Sequence, residues 1–192
     1  MYIINNTYEY VLEVNKSKFI GIVFKVSNAV EFNNMMDFIK EKYPKATHYV
    51  YAYRFINEFK SSDDGEPGGT SGMPIFNVID KENLFNTAII VVRYFGGIKL
   101  GAGGLVRAYS KCASNLIDDS RKSLLLDGFV CIISFKYDEI STIDNLINSS
   151  KCKTVDKKFE ENVQYTLIIS NDDIDKFSRF NLEKIKNTYL EI

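Results

Sequence analysis

Three groups of residues have types and spacings that could do chemistry. The chain has a single histidine, His48, and imidazole is the side chain whose unperturbed pKa lies closest to neutrality, which suits proton transfer. Arg54 follows it at a spacing that keeps both on one face of a strand. The second group lies in Ser61-Ser62-Asp63-Asp64-Gly65-Glu66-Pro67-Gly68-Gly69-Thr70-Ser71-Gly72-Met73-Pro74, where fourteen positions hold three carboxylates, four glycines and two prolines. Carboxylates this close could ligate a hard cation such as Mg²⁺ or Ca²⁺, although their order is not that of a calcium-binding EF-hand loop. Alternatively, Asp63 or Asp64 caps the following backbone while the glycines make turns. The third group is Arg93 to Arg107, with Gly96, Gly97, Gly101, Gly103 and Gly104 between the cations Arg93, Lys99 and Arg107. Backbone N–H groups at a helix start beside such cations suit an anion.

The familiar phosphate motifs do not fit this third group. Gly96 to Gly101 has the spacing of the first half of a P-loop, but Ala102 stands where lysine should follow. Gly101-Ala102-Gly103 begins like a dinucleotide fingerprint, but Val106 occupies the third glycine position. A sharp structural turn, a backbone cradle for phosphate or nucleic acid, and a catalytic loop all remain open.

The elements that must position these residues follow from periodicity. Ala88-Ile89-Ile90-Val91-Val92 reads as a strand covered on both faces. Leu105, Ala108, Tyr109, Cys112 and Leu116 recur at helical spacing, predicting an amphipathic helix from about Gly104 to Asp119. Upstream, Tyr8 to Val14 and Phe19 to Val26 are strands joined as a hairpin by a polar turn. Asn28 and Glu31 have capping-box spacing ahead of a helix whose stripe is Phe32, Met35, Met36, Ile39 and Tyr43. Thr47 to Ile56 is a strand, with Tyr49, Tyr51, Tyr53 and Phe55 on one face. That aromatic face reads either as a base-stacking platform or as a surface packed on a helix. Ile75 to Ile79 reads as a short strand after Pro74. Composition shifts at Asp127-Gly128. Beyond it come a strand at 129–135, a helical stripe at 140–147, strands near 153–160 and 162–170, a helical segment from about Asp172 and an edge strand at 189–192. This β-α-β-β-α-β order is the ferredoxin-like pattern. Two domains are expected, 1–127 and 128–192.

An apolar fraction of 45% and a net charge of −1 describe an ordinary globular chain with no global bias toward nucleic acid or acidic membranes. The two halves carry +1 and −2, so neither is a basic module. Cys112, Cys131 and Cys152 are scattered, form no CxxC and cannot make an ordinary zinc site with one histidine; they read as reduced buried thiols. No signal peptide and no run of roughly 20 apolar residues is present, and a cytoplasmic location is expected.

Ser62-Asp63-Asp64-Gly65-Glu66-Pro67, Gly69-Thr70-x-Gly72-x-Pro74 and Val92-Arg93-Tyr94-Phe95-Gly96-Gly97-Ile98-x-Leu100-Gly101-x-Gly103-Gly104-Leu105-Val106-Arg107-Ala108-Tyr109 strongly resemble the Impact family, also called the YigZ type. The resemblance covers about 17 to 120, and the second half is similar to the family's bacterial C-terminal domain through its element order. It implies an α+β protein: an N-terminal two-layer α/β sandwich like a domain of a small-subunit ribosomal protein and of elongation factor G, then a small ferredoxin-like domain. Eukaryotic relatives are translational regulators that bind an activator of the kinase repressing initiation during amino-acid starvation, using an additional domain different from this one. The family motif includes a histidine and an arginine matching His48 and Arg54, but no established catalytic residue. The reading is a non-enzymatic binding protein linked to translation, contacting RNA, the ribosome or a protein, with no membrane, cofactor or metal assigned. The alternative is a metal- or phosphate-dependent enzyme using the 63–72 and 96–104 loops, with His48 as base.

Overall fold

The computed structural model describes residues 1–192 and resolves into two compact units, Met1–Ser123 and Leu124–Ile192. The elements in order are β1 (Tyr2–Ile4), β2 (Tyr8–Val14), β3 (Ser17–Lys25), α1 (Ala29–Lys42), β4 (His48–Arg54), β5 (Phe59–Ser62), α2 (Gly72–Lys81), β6 (Thr87–Tyr94), α3 (Gly101–Asp118), β7 (Lys122–Phe135), α4 (Ile140–Asn148), β8 (Cys152–Phe159), β9 (Val163–Ser170) and β10 (Asn181–Glu191). The fold is α+β, with antiparallel pairing in both sheets.

In the N-terminal unit the sheet runs β2-β3-β6-β4-β5. Its central strands have no polar face because both sides are covered. Phe19, Val23, Ile89 and Val91 pack with α2 and α3, whereas Ile20, Ile22, Phe24, Ile90 and Val92 pack with α1. The unit therefore has three layers rather than two. The additional layer follows from the continuous apolar composition of β3 and β6, which leaves no face for water. The aromatic row of β4 is also packed: Phe32 of α1 lies 4.8 Å from Tyr51 and 5.0 Å from Tyr53 between ring centroids.

Local chemistry fixes the ends. The β2–β3 hairpin turns at Asn15 and Lys16, with φ of 46° and 63°, the two-residue geometry whose twist matches antiparallel strands. Glu31 N–H donates to Asn28 Oδ1 at 3.0 Å, and Ser27 N–H to Glu31 Oε2 at 2.8 Å, so α1 starts in a reciprocal cap.

Four expectations about single elements need correction. Residues 75–79 are not a strand but the body of α2. Ile75 and Ile79, spaced for one helical face, are both fully buried, and Pro74 sits in the first turn, where no N–H is required. The helix holding the glycine-rich segment begins at Gly101 rather than Gly104, so the connection from β6 is only residues 95–100. In the C-terminal unit the segment near Asp172 makes only a short 3₁₀ turn, Ile174–Phe177. The final strand is longer than expected: β10 pairs along β7 from Asn181 to Glu191.

The C-terminal sheet has the order β10-β7-β9-β8, with the first strand of the unit between its third and fourth, as in ferredoxin-like folds. Its core gathers Ile133, Phe135, Ile143, Tyr165, Leu167 and Phe177. The composition shift at Asp127-Gly128 falls inside β7. No helix is long and apolar enough to cross a membrane.

Candidate functional site

β4 and β6 are antiparallel neighbours, and their register sets His48 directly opposite Arg93. The acidic segment after β5 folds back toward this pair, and each of its carboxylates has a different task. Asp63 Oδ1 accepts hydrogen bonds from Ser71 N–H at 3.0 Å, Ser71 Oγ–H at 2.7 Å and Gly72 N–H at 2.8 Å, while Oδ2 accepts from Gly69 N–H at 2.8 Å. Burial alone would raise its pKa, but the Ser71 hydroxyl and the backbone donors outweigh it and hold the carboxyl below its ordinary value. Because Gly72 opens α2, the same carboxylate also places negative charge at a helix start.

Asp64 has a φ of 44°. Its carboxylate accepts from Tyr49 N–H at 2.6 Å, and its carbonyl lies 2.7 Å from His48 Nδ1. A carbonyl only accepts, so Nδ1 carries a proton and Nε2 is the ring nitrogen turned toward the cleft's other groups.

Glu66 turns inward, and its side chain is only 4% exposed. Its Oε1 accepts from Arg93 Nη1–H and, at 2.7 Å, from Tyr109 Oη–H. Oε2 is 3.8 Å from His48 Nε2. Burial, then the Glu66 hydrogen bond and charge, push the Tyr109 hydroxyl far above its usual range, so it remains a donor. Arg93 is 4% exposed. Its Nη2 reaches Ser17 Oγ at 3.5 Å, and its guanidinium lies 5.2 Å from the Phe19 ring centre and 5.5 Å from that of Phe95. Its Nε–H has no partner.

The glycines divide by physical role. A Cβ on Gly96 would stand 2.0 Å from the backbone of Lys16 in the hairpin turn. Gly97 and Gly101 have φ of 85° and 70°, conformations that other residues adopt at a cost. Gly103 differs. It has no positive φ, and a Cβ there would meet only the Arg107 side chain, at 3.8 Å. The loop is held from below, with Phe95 N–H donating to Thr47 Oγ1 at 3.0 Å and Gly96 N–H to Ser17 Oγ at 3.1 Å.

These elements enclose a cleft of about 390 Å³, to which His48, Glu66, Arg93, Lys99, Gly101 and Ala102 all contribute. The start of α3 opens into it with no capping side chain and no acidic residue in its first turn.

Of the residues singled out from the sequence, the fold brings together His48, Glu66, Arg93, Lys99 and Gly101. It does not bring in Arg54, which pairs with Asp80 at 2.7 Å and covers the Phe85 ring at 3.9 Å. Arg107 is exposed but lines separate grooves beside α3. Asp63 is held by the loop's own hydrogen bonds and the Asp64 carboxylate by the β4 backbone, and no three His, Cys, Asp or Glu side chains converge as metal ligands. Sequence reasoning missed Ser17, Thr47 and Tyr109. Tyr109 gave a helical-stripe signal and closed the family motif without being marked as a site residue, and nothing local marked the two hydroxyls.

Fold and site together define a class: a two-unit α+β protein whose N-terminal unit carries a cleft between an acidic loop and a glycine-rich helix start. Residues 15–117 match the Impact N-terminal domain. The chain is 35% identical over 182 residues to the IMPACT family member YvyE of Bacillus subtilis, covering 91% of this chain and 82% of the relative. It is 34% identical over 155 residues to an IMPACT family member of Thermus thermophilus, covering 80% and 84%. A crystal structure described as that of a hypothetical protein shares the fold, with a TM-score of 0.64 and 23% identity over 96% of this chain and 95% of that one. This chain belongs to the IMPACT family.

Proposed function

We propose that this protein is a non-enzymatic, cytoplasmic binding protein acting in the regulation of translation. Its N-terminal unit would engage RNA, the ribosome or a translation-related protein through the rim of the cleft. Family membership supports the translational setting. The observation that carries the binding reading is the division of charge at the rim. The acids are turned into the loop or the interior, whereas Lys99 on the cleft wall and Arg107 in the neighbouring grooves of α3 are exposed and make no ion pair. Phe95 and Ile98 add apolar area on the same surface, 45% and 44% exposed. A buried aromatic or arginine anchor ringed by exposed contacts is how many recognition surfaces are built.

The test is affinity purification of the intact protein beside Lys99→Glu/Arg107→Glu, with recovered RNA and protein both identified. Ribosomal particles, RNA or a translation protein held by the wild type and lost by the folded variant support this reading. Equal recovery by both, or none by either, overturns it. Arg93 is unsuited to this experiment because its replacement would disturb the interior.

One observation favours a second reading. His48 Nε2, the Glu66 carboxylate and Arg93 meet in a single cleft, and such a cluster could bind or turn over a small molecule. Thermal-shift screening against nucleotides and divalent metals addresses it, and stabilisation by a small ligand without macromolecular recovery would favour it.

A further inference from the structure

We infer that the cleft holds a nucleotide phosphoryl group, bound against the N-terminus of α3. This deepens the binding reading above and rests on the same surface. α3 is 18 residues long and starts without a capping side chain or an acidic residue. Its first N–H groups, those of Gly101, Ala102 and Gly103, therefore lack an intrahelical acceptor and present the positive end of the helix dipole. A helix start alone does not make a site. The second observation is Arg93, which lines the same cleft, is 4% exposed and keeps one buried donor, Nε–H, without a partner. A buried unpaired donor on a guanidinium costs free energy unless an acceptor arrives, and an oxyanion is the acceptor for which that group is best shaped.

The surrounding charges agree. Glu66 also lines the cleft, but its Oε1 is occupied by Arg93 and Tyr109, and Oε2 faces His48. Lys99 lies on the cleft wall and is exposed without an ion pair. The formal charge of Arg93, Lys99 and Glu66 together is positive even with His48 neutral. Gly101 and Ala102, the first two residues of α3, line the cleft directly. Pro67, Phe95 and Leu105 make the remaining wall apolar, which suits the base of a nucleotide more than inorganic phosphate alone, and the Phe95 ring is exposed for stacking.

The experiment is an amide and arginine-side-chain NMR titration of the full chain with three probes: inorganic phosphate, adenosine 5′-monophosphate, and a short oligoribonucleotide with or without a 5′-phosphate. The control variant is Ala102→Glu. It places a carboxylate in the first turn of α3, where the dipole favours it, so folding is kept or improved while the anion position is blocked by charge. The expected result is movement of the Gly101, Ala102 and Gly103 amides and of Arg93 Nε–H, with binding at least about tenfold weaker in Ala102→Glu and in Lys99→Ala. Tighter binding of the mononucleotide assigns a free nucleotide; tighter binding of the 5′-phosphorylated oligomer than of its hydroxyl form assigns an RNA end. No shift with any probe at millimolar concentration, or equal affinity in wild type and Ala102→Glu, overturns the inference. In that case, continued recovery of ribosomal material by the wild type would leave the binding function standing without the phosphoryl site.

Discussion

At the scale of single residues, Glu66 organises the cleft without being free to act in it. It is the counter-charge of a buried arginine, and removing one partner of a buried pair leaves the other charge uncompensated. Glu66→Ala is expected to destabilise the N-terminal unit by about 3–5 kcal/mol, measured by urea denaturation. A loss below 1 kcal/mol would mean that the interior is open to water around Arg93. Asp63 offers a test of sign. Its pKa is lowered in the folded chain, so its stabilising contribution is present above the ordinary carboxyl range and is lost as pH falls through the lower, folded value. The melting temperature of the wild type should therefore fall below about pH 4 more steeply than that of Asp63→Asn, while at neutral pH the variant is the less stable of the two. Parallel curves would remove Asp63 from the loop's support.

At the scale of elements, the glycine-rich connection separates into positions required by the fold and one that is not. Gly96→Ala drives a methyl into the Lys16 backbone of the β2–β3 turn, and Gly97→Ala must hold a left-handed φ at about 1–2 kcal/mol. Both should lower the melting temperature. Gly103→Ala should raise stability by up to about 1 kcal/mol, because glycine within a helix is the costlier residue. A loss of stability in Gly103→Ala would contradict the open space seen beside it. The division was partly legible in advance: an interrupted run of glycines at the start of an apolar helix stripe marked a junction of unusual backbone. Which glycine served which purpose depended on a hairpin turn some eighty positions earlier in the chain.

At the scale of the molecule, near-neutral charge sets a limit on how any nucleic acid is held. With few unpaired cations on the α3 surface, the logarithm of an RNA affinity should fall with the logarithm of salt at a slope of only about −1 to −3, reflecting a few phosphates. A slope steeper than about −6 would require a much larger basic surface. The thiols should be quiet in the folded protein. Burial pushes Cys112 up to about 12 and Cys152, with the nearby Asp173 charge, up to about 11. Reaction with a thiol reagent should therefore be slow until the chain unfolds.

By itself the sequence determined most of the alternation of strands and helices, the burial of β6 on both faces, the capped start of α1 and the ferredoxin-like order of the second unit. Each rests on short-range periodicity or on a side chain reaching its own backbone. It marked the acidic and glycine-rich stretches as irregular, and their residues carried the family resemblance. The tertiary structure alone decided that 75–79 are helical, since five mostly apolar residues are too few to show a distinguishing period and the choice fell to packing beneath β4. It alone decided that Arg93 is an interior residue and Arg107 an exterior one, although both are arginines flanking the same glycines. The difference comes from the register of β4 against β6, which sets Arg93 opposite His48 and under Glu66, a placement made by contacts between distant segments and written in no local pattern.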